Sequence, residues 1–128
     1  MAKIIVAGLG PGRAGLITRE SWDIIKKADR LILRTKIHPT VAALDEAAIE
    51  YTTYDNFYEN AATFEDLYKK IAEDLLQRAE KDGDLVYAVP GSPLVAERTV
   101  VILRELAKKS AVTVDILPGM SFVEVMYT

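Results

Sequence analysis

The sequence has 128 residues, with 16 Lys and Arg against 19 Asp and Glu, one His and no Cys, for a formal net charge of −3. Half of it is hydrophobic, enough for a single core without staples, and the lack of thiols excludes a disulfide scaffold and a thiolate metal site while fitting a reducing, cytoplasmic compartment. A pI near 5.2 argues against nucleic-acid binding, which calls for a basic stripe, and no apolar run reaches the roughly 18–20 residues of a membrane span.

Ile4 to Leu9 is a short apolar, β-branched run stopped by Gly8-Leu9-Gly10-Pro11-Gly12, which predicts a strand buried on both faces and then a tight loop. Thr18 is placed to cap a helix whose apolar positions Trp22, Ile25 and Ala28 share one face, with Trp22 as a core residue. Arg30 to Leu33 reads as a second strand, and His38 to Ala48 as a short helix begun by a His38-Pro39 turn. Tyr51 to Tyr54 is a third strand, and residues 55–62 have no clear period. From Phe64 to Ala79 apolar residues recur at i, i+3 and i+4, with a capping signal at Thr63 and Asp66 and a stop at Gly83. Leu85 to Val89 is a further strand, ended by Pro90-Gly91-Ser92-Pro93. Ala96, Val100, Leu103 and Ala107 mark a helix, Val112 to Leu117 a last strand ended by Pro118-Gly119, and Ser121 to Met126 the first turns of another helix. Strands alternating with helices predict an α/β fold of three layers, with a five-stranded, mostly parallel sheet between helices.

Chemistry in such a fold gathers at the carboxyl ends of the strands. Three loops there are rich in Gly and Pro: 8–12, 90–93 and 118–121. Together they predict a pocket lined by backbone. Gly10, Gly12 and Gly15 also fit the dinucleotide pattern G-x-G-x-x-G, but the following strand ends in Arg34 instead of an acidic residue, so this reading takes the NADP form, with Arg34 facing a 2′-phosphate. There is no Gly-Lys-Ser/Thr sequence and no G-x-S-x-G elbow, and the single His38 reads as a turn residue more readily than as a base. Glu46, Asp55, Glu59, Glu65 and Asp66 match no metal-ligand spacing, and Tyr54, Phe57 and Tyr58 form an aromatic group around Asp55.

The three loops, in their order, make the chain resemble the tetrapyrrole methylase family. The family's G-x-G-P-G is met by Gly8 to Gly12, its G-D-P by Gly91-Ser92-Pro93 with Ser92 where Asp is usual, and its P-G-x-S/T by Pro118-Gly119-Met120-Ser121. Arg34-Thr35 with His38-Pro39, Tyr58-Glu59 and Tyr87 to Gly91 further resemble the methylase-like domain fused to MazG-type nucleotide pyrophosphohydrolases. The resemblance implies an S-adenosylmethionine-dependent methyltransferase built from two α/β lobes, with the cofactor between them. Residues 1–128 correspond to the N-terminal lobe; the second lobe is missing and this lobe is inactive alone. Carried over residue by residue, the cofactor contacts are Pro11, Pro90, Gly91, Ser92, Val95, Ser121 and Phe122. No metal is implied and no catalytic residue is carried over. The implied partners are a small-molecule methyl acceptor, of which a tetrapyrrole is one family type, the missing lobe, a pyrophosphohydrolase domain and a second copy of the chain, but no nucleic acid and no membrane. A different reading from the same resemblance is a non-catalytic ligand-sensing or assembly domain beside such a hydrolase.

Overall fold

Three consecutive β-branched residues, Ile4-Ile5-Val6, favour extended chain, and they lie in the strand β1 (Lys3–Gly8) of the computed structural model, which describes residues 2–128. The other strands are β2 (Leu31–Leu33), β3 (Thr52–Thr53), β4 (Leu85–Val89) and β5 (Thr113–Ile116). They form one sheet in the order β3-β2-β4-β1-β5, and every neighbouring pair is parallel. The helices are α1 (Arg19–Lys27), α2 (Val41–Glu46), α3 (Phe57–Asn60), α4 (Phe64–Asp82), α5 (Arg98–Ala107) and α6 (Phe122–Met126).

The period of two along each strand divides the core. Ile4, Val6, Ile32, Leu85, Tyr87 and Val89 face α4 and α5, where they meet Leu67, Ile71, Leu75, Val100 and Leu103. Ala7, Leu31, Leu33, Val86 and Ala88 face the other way, onto Ile25 of α1 and Val41 and Leu44 of α2. Each fully buried Leu, Ile or Val contributes about 1.5–3 kcal/mol. The sheet thus has a helical layer on each face, the three-layer α/β arrangement that the sequence predicts. Among the described residues, no helix is long and apolar enough to cross a membrane.

Local signals set the helix ends. Thr18 Oγ1 accepts from Ser21 N at 3.1 Å, and Thr63 Oγ1 accepts from Asp66 N at 3.1 Å, so both predicted caps are made. Gly83, at φ 96°, ends α4. Some boundaries differ from the sequence reading. Ala96 lies before α5, not in it, because its φ of +53° is left-handed and incompatible with a right-handed helix. The segment without a period contains α3, whose four residues are too few to show one. Trp22 is half-buried at the edge of the α1–α2 core, with the Lys26 ammonium 5.9 Å from its ring.

Neighbouring strands β1 and β4 send their chains to opposite faces, β1 to α1 and β4 to α5. Beyond the carboxyl edge the two connections therefore leave toward opposite faces. This is the switch point at which open α/β sheets leave a crevice for ligands.

Candidate functional site

At the crevice the first two Gly-rich loops are joined by backbone. Gly10 N donates to the Gly91 carbonyl at 3.2 Å and Gly91 N to the Gly10 carbonyl at 2.9 Å, extending the β1–β4 pairing beyond the sheet. Both residues have positive φ, +74° and +68°, which explains glycine at each. A Cβ on Gly8 would collide with the Gly91 carbonyl oxygen, and one on Gly119 would stand 3.5 Å from Gly91 O, Ser92 Cα and Pro93 Cδ. All three loops predicted from the sequence therefore meet around Gly91. A Cβ on Gly91 itself would meet nothing within 4 Å, so this backbone faces open space that a ligand can enter.

The candidate cofactor residues are distributed unevenly around this point. Pro90 and Gly91 are half-buried beside the glycine bridge. Ser92 is buried; its Oγ accepts from Leu94 N at 3.3 Å and its carbonyl from Val95 N at 3.2 Å, so the hydroxyl closes the turn. Val95 is exposed beyond that turn. Ser121 is buried as the N-cap of α6: Val123 N donates to its Oγ at 3.2 Å and its own N donates to Glu124 Oε2 at 3.0 Å. Phe122 next to it is exposed. Pro11, with Gly12 and Leu16, forms one wall of a cleft of about 410 Å³ whose other wall is Met120, Glu124 and Val125.

Gly15 of the dinucleotide pattern sits in an exposed 3-10 turn, Ala14–Leu16, where an added Cβ would meet nothing. It makes no close approach of helix to strand, the task of the third glycine in that fingerprint.

Arg34 belongs to a polar cluster one strand away from the crevice. Its Nε faces Glu97 Oε2 at 3.4 Å and its Nη1 donates to Tyr58 Oη at 2.8 Å. Thr99 Oγ1 donates to Glu97 Oε1 at 2.5 Å and lies 3.0 Å from Tyr87 Oη. Burial pushes the Glu97 carboxyl above its ordinary range, outweighing Arg34 and Thr99, which favour the carboxylate. Burial pulls the Arg34 guanidinium down, but Glu97 and the surrounding tyrosines more than reverse that and keep it charged. Tyr87, fully buried, is pushed well above the ordinary phenol range.

The β2–α2 loop is pinned nearby. Asp55 accepts from Thr35 Oγ1 at 2.5 Å and from Lys36 N at 2.8 Å, so this carboxylate is a loop clamp. His38 Nδ1 accepts from Thr40 N at 3.1 Å. Burial lowers the His38 pKa, the Gly10 backbone counters it, and Arg34 adds to the lowering. In the aromatic group, Tyr54 and Phe57 serve packing, edge to face at 4.9 Å, while Tyr58 is the member that bonds Arg34. Glu97 and Thr99 did not stand out in the sequence. They sit before and within an ordinary-looking helix start, and nothing local links Glu97 to an arginine 63 positions earlier.

A sequence profile described as Tetrapyrrole (Corrin/Porphyrin) Methylases matches residues 3–128. The chain is 39% identical over 125 residues to the protein YabN of Bacillus subtilis (strain 168), covering 98% of this chain and 25% of that protein. It is 26% identical over 119 residues to a uroporphyrinogen-III C-methyltransferase of Cyanidium caldarium, covering 93% of this chain and 46% of that one. A uroporphyrin-III C-methyltransferase from Thermus thermophilus, solved with S-adenosylhomocysteine, has a TM-score of 0.69 at 21% identity, over 98% of this chain and 48% of that one. A diphthine synthase has a TM-score of 0.74 at 17% identity, over 98% and 47%. At such identities these two structures bear on the fold alone. The chain spans from a quarter to about half of the relatives it matches.

Proposed function

Because the chain belongs to the family of tetrapyrrole (corrin/porphyrin) methylases, we propose that it is the cofactor-binding lobe of an S-adenosylmethionine-dependent methyltransferase, completed by a second lobe and inactive without it. The observation that carries this reading is the meeting of three Gly/Pro loops around Gly91 at the β1–β4 switch point, with open space beside the Gly91 backbone. The residues present fit such a cofactor. Gly91 turns its backbone toward open space, and Pro11 and Pro90 stiffen the rim.

When bound, the cofactor supplies a methyl group on a sulfonium, a good leaving group. The chain's own task is then to hold and align. Rigid backbone loops suit that work, and holding reactants in line is worth as much as about 7–11 kcal/mol of barrier. Neither a nucleophilic side chain nor a metal is needed for it. The acceptor is a small molecule, with a tetrapyrrole as one candidate, since one relative is a uroporphyrinogen-III C-methyltransferase.

Calorimetric titration of the natural full-length protein with S-adenosylhomocysteine tests the proposal. Saturable one-site binding is expected. Titration without heat, and without protection against thermal unfolding, would sink it.

A second reading is a ligand-sensing lobe within a larger protein that contains a pyrophosphohydrolase. It draws on the likeness of Arg34-Thr35 with His38-Pro39, Tyr58-Glu59 and Tyr87 to Gly91 to the methylase-like domain fused to such hydrolases. A change in the full-length protein's hydrolase rate on adding S-adenosylmethionine favours sensing; an unchanged rate with the cofactor bound counts against it.

A further inference from the structure

The cofactor reading leaves the Arg34 cluster without a task. Stability does not explain it, because a buried ion pair is often replaced by apolar residues at no cost. Its geometry is directional. Glu97 points inward, with a side chain 6% exposed and its second oxygen engaged by Thr99, whereas the Arg34 side chain is 19% exposed. Nη1 donates to Tyr58, while Nε lies 3.4 Å from Glu97 Oε2 in an ion-pair contact that makes no hydrogen bond and leaves this buried N–H unpaired; among the described residues, Nη2 donates no hydrogen bond. Arg34 N bonds to Ala88 O at 3.0 Å, which places this residue at the carboxyl edge directly beside β4, the strand that leads into the Gly91 loop.

We propose that Arg34 is an anion anchor, with its guanidinium held by the Tyr58 hydrogen bond and the Glu97 ion pair, and that it takes a carboxylate or phosphate group of the methyl acceptor. A guanidinium held in one plane presents its remaining donors in the fork that suits either group. The word acceptor rests on the methyltransferase reading above. The anion site itself rests on the cluster.

Inorganic phosphate and uroporphyrin III, a polycarboxylate, are titrated separately into the full-length protein, and S-adenosylhomocysteine is titrated in parallel. Which of the two anions binds identifies the group. Arg34→Met is expected to weaken that binding about tenfold or more, the scale of a charge-assisted hydrogen bond. Arg34→Lys keeps the charge for the fold but loses the fork, and an intermediate loss is expected. Glu97→Gln keeps shape and an acceptor oxygen while removing the competing negative charge, so anion binding should tighten several-fold. S-adenosylhomocysteine affinity in Arg34→Lys should stay within about twofold of wild type. Opposite signs for the Arg34 and Glu97 variants support the proposal. It is overturned by equal affinity in wild type and both Arg34 variants, by parallel losses in Arg34 and Glu97 variants, or by wild type binding neither anion. Opposite signs together with no S-adenosylhomocysteine binding would keep the anion site and remove the methyltransferase reading.

Discussion

Gly8 and Gly15 separate a glycine that the fold requires from one that it tolerates. An added Cβ at Gly8 runs into the Gly91 carbonyl oxygen and comes 3.1 Å from Pro93 Cδ, and backbone cannot yield there without breaking the Gly10–Gly91 bridge. Gly8→Ala is expected to cost about 2–3 kcal/mol, as overpacking against backbone does. Gly15→Ala, in open space, should lie within about 0.5 kcal/mol of wild type. Urea denaturation of both variants checks the contrast, and equal losses would contradict it. Glu97 gives a pH signature. Its carboxyl titrates above the ordinary 4.5 because burial outweighs Arg34 and Thr99. The folded chain therefore keeps this proton to higher pH than the unfolded chain does. The stability tied to it is complete below 4.5 and is lost as pH rises through the raised value. Relative to Glu97→Gln, wild type should lose stability with rising pH in that window; parallel curves would show that the carboxyl is not perturbed.

At the scale of elements, the parts that the sequence revealed are those with a local cause. Apolar β-branched runs mark β1 and β4, the i, i+3, i+4 repeat marks α4, and Thr18 and Thr63 mark helix starts. The three loops were legible because Gly and Pro are demanded by positive φ and close backbone approach at Gly8, Gly10 and Gly91. The start of α5 was not, since Ala96 has no intrinsic preference for the left-handed turn it adopts there, just before the anchored Glu97. The Arg34–Glu97 pair was equally hidden, because it joins the end of β2 to the β4–α5 connection, which only the β2–β4 pairing brings together. Ser121 and Glu124 form a capping box in the structure, with both halves made. Ser121→Ala should therefore cost about 1 kcal/mol and lower the order of α6, seen as faster amide exchange at Val123 and Glu124. Unchanged exchange there would mean that the cap does not hold the third loop.

For the whole molecule, the layers account for stability and the carboxyl edge for recognition. The exposed apolar residues are less evenly spread. Phe122, Val125, Met126 and Tyr127 lie together in sequence on and after α6, with Met126 and Tyr127 74% and 87% exposed. Apolar patches of this kind favour association, and we propose that the chain self-associates through them. Light scattering at rising concentration should report a dimer or larger assembly that Met126→Lys with Tyr127→Lys disperses. A monomer at every concentration would contradict this.

The central claim is that the three loops around Gly91 form one cofactor site. The direct measurement is amide chemical-shift mapping of the full-length protein with S-adenosylhomocysteine. The expected result is saturable shifts confined to residues 8–12, 90–97 and 118–122, with Gly10 and Gly91 among the largest. Saturable shifts elsewhere with these loops unmoved, or no shifts at all, would contradict the account.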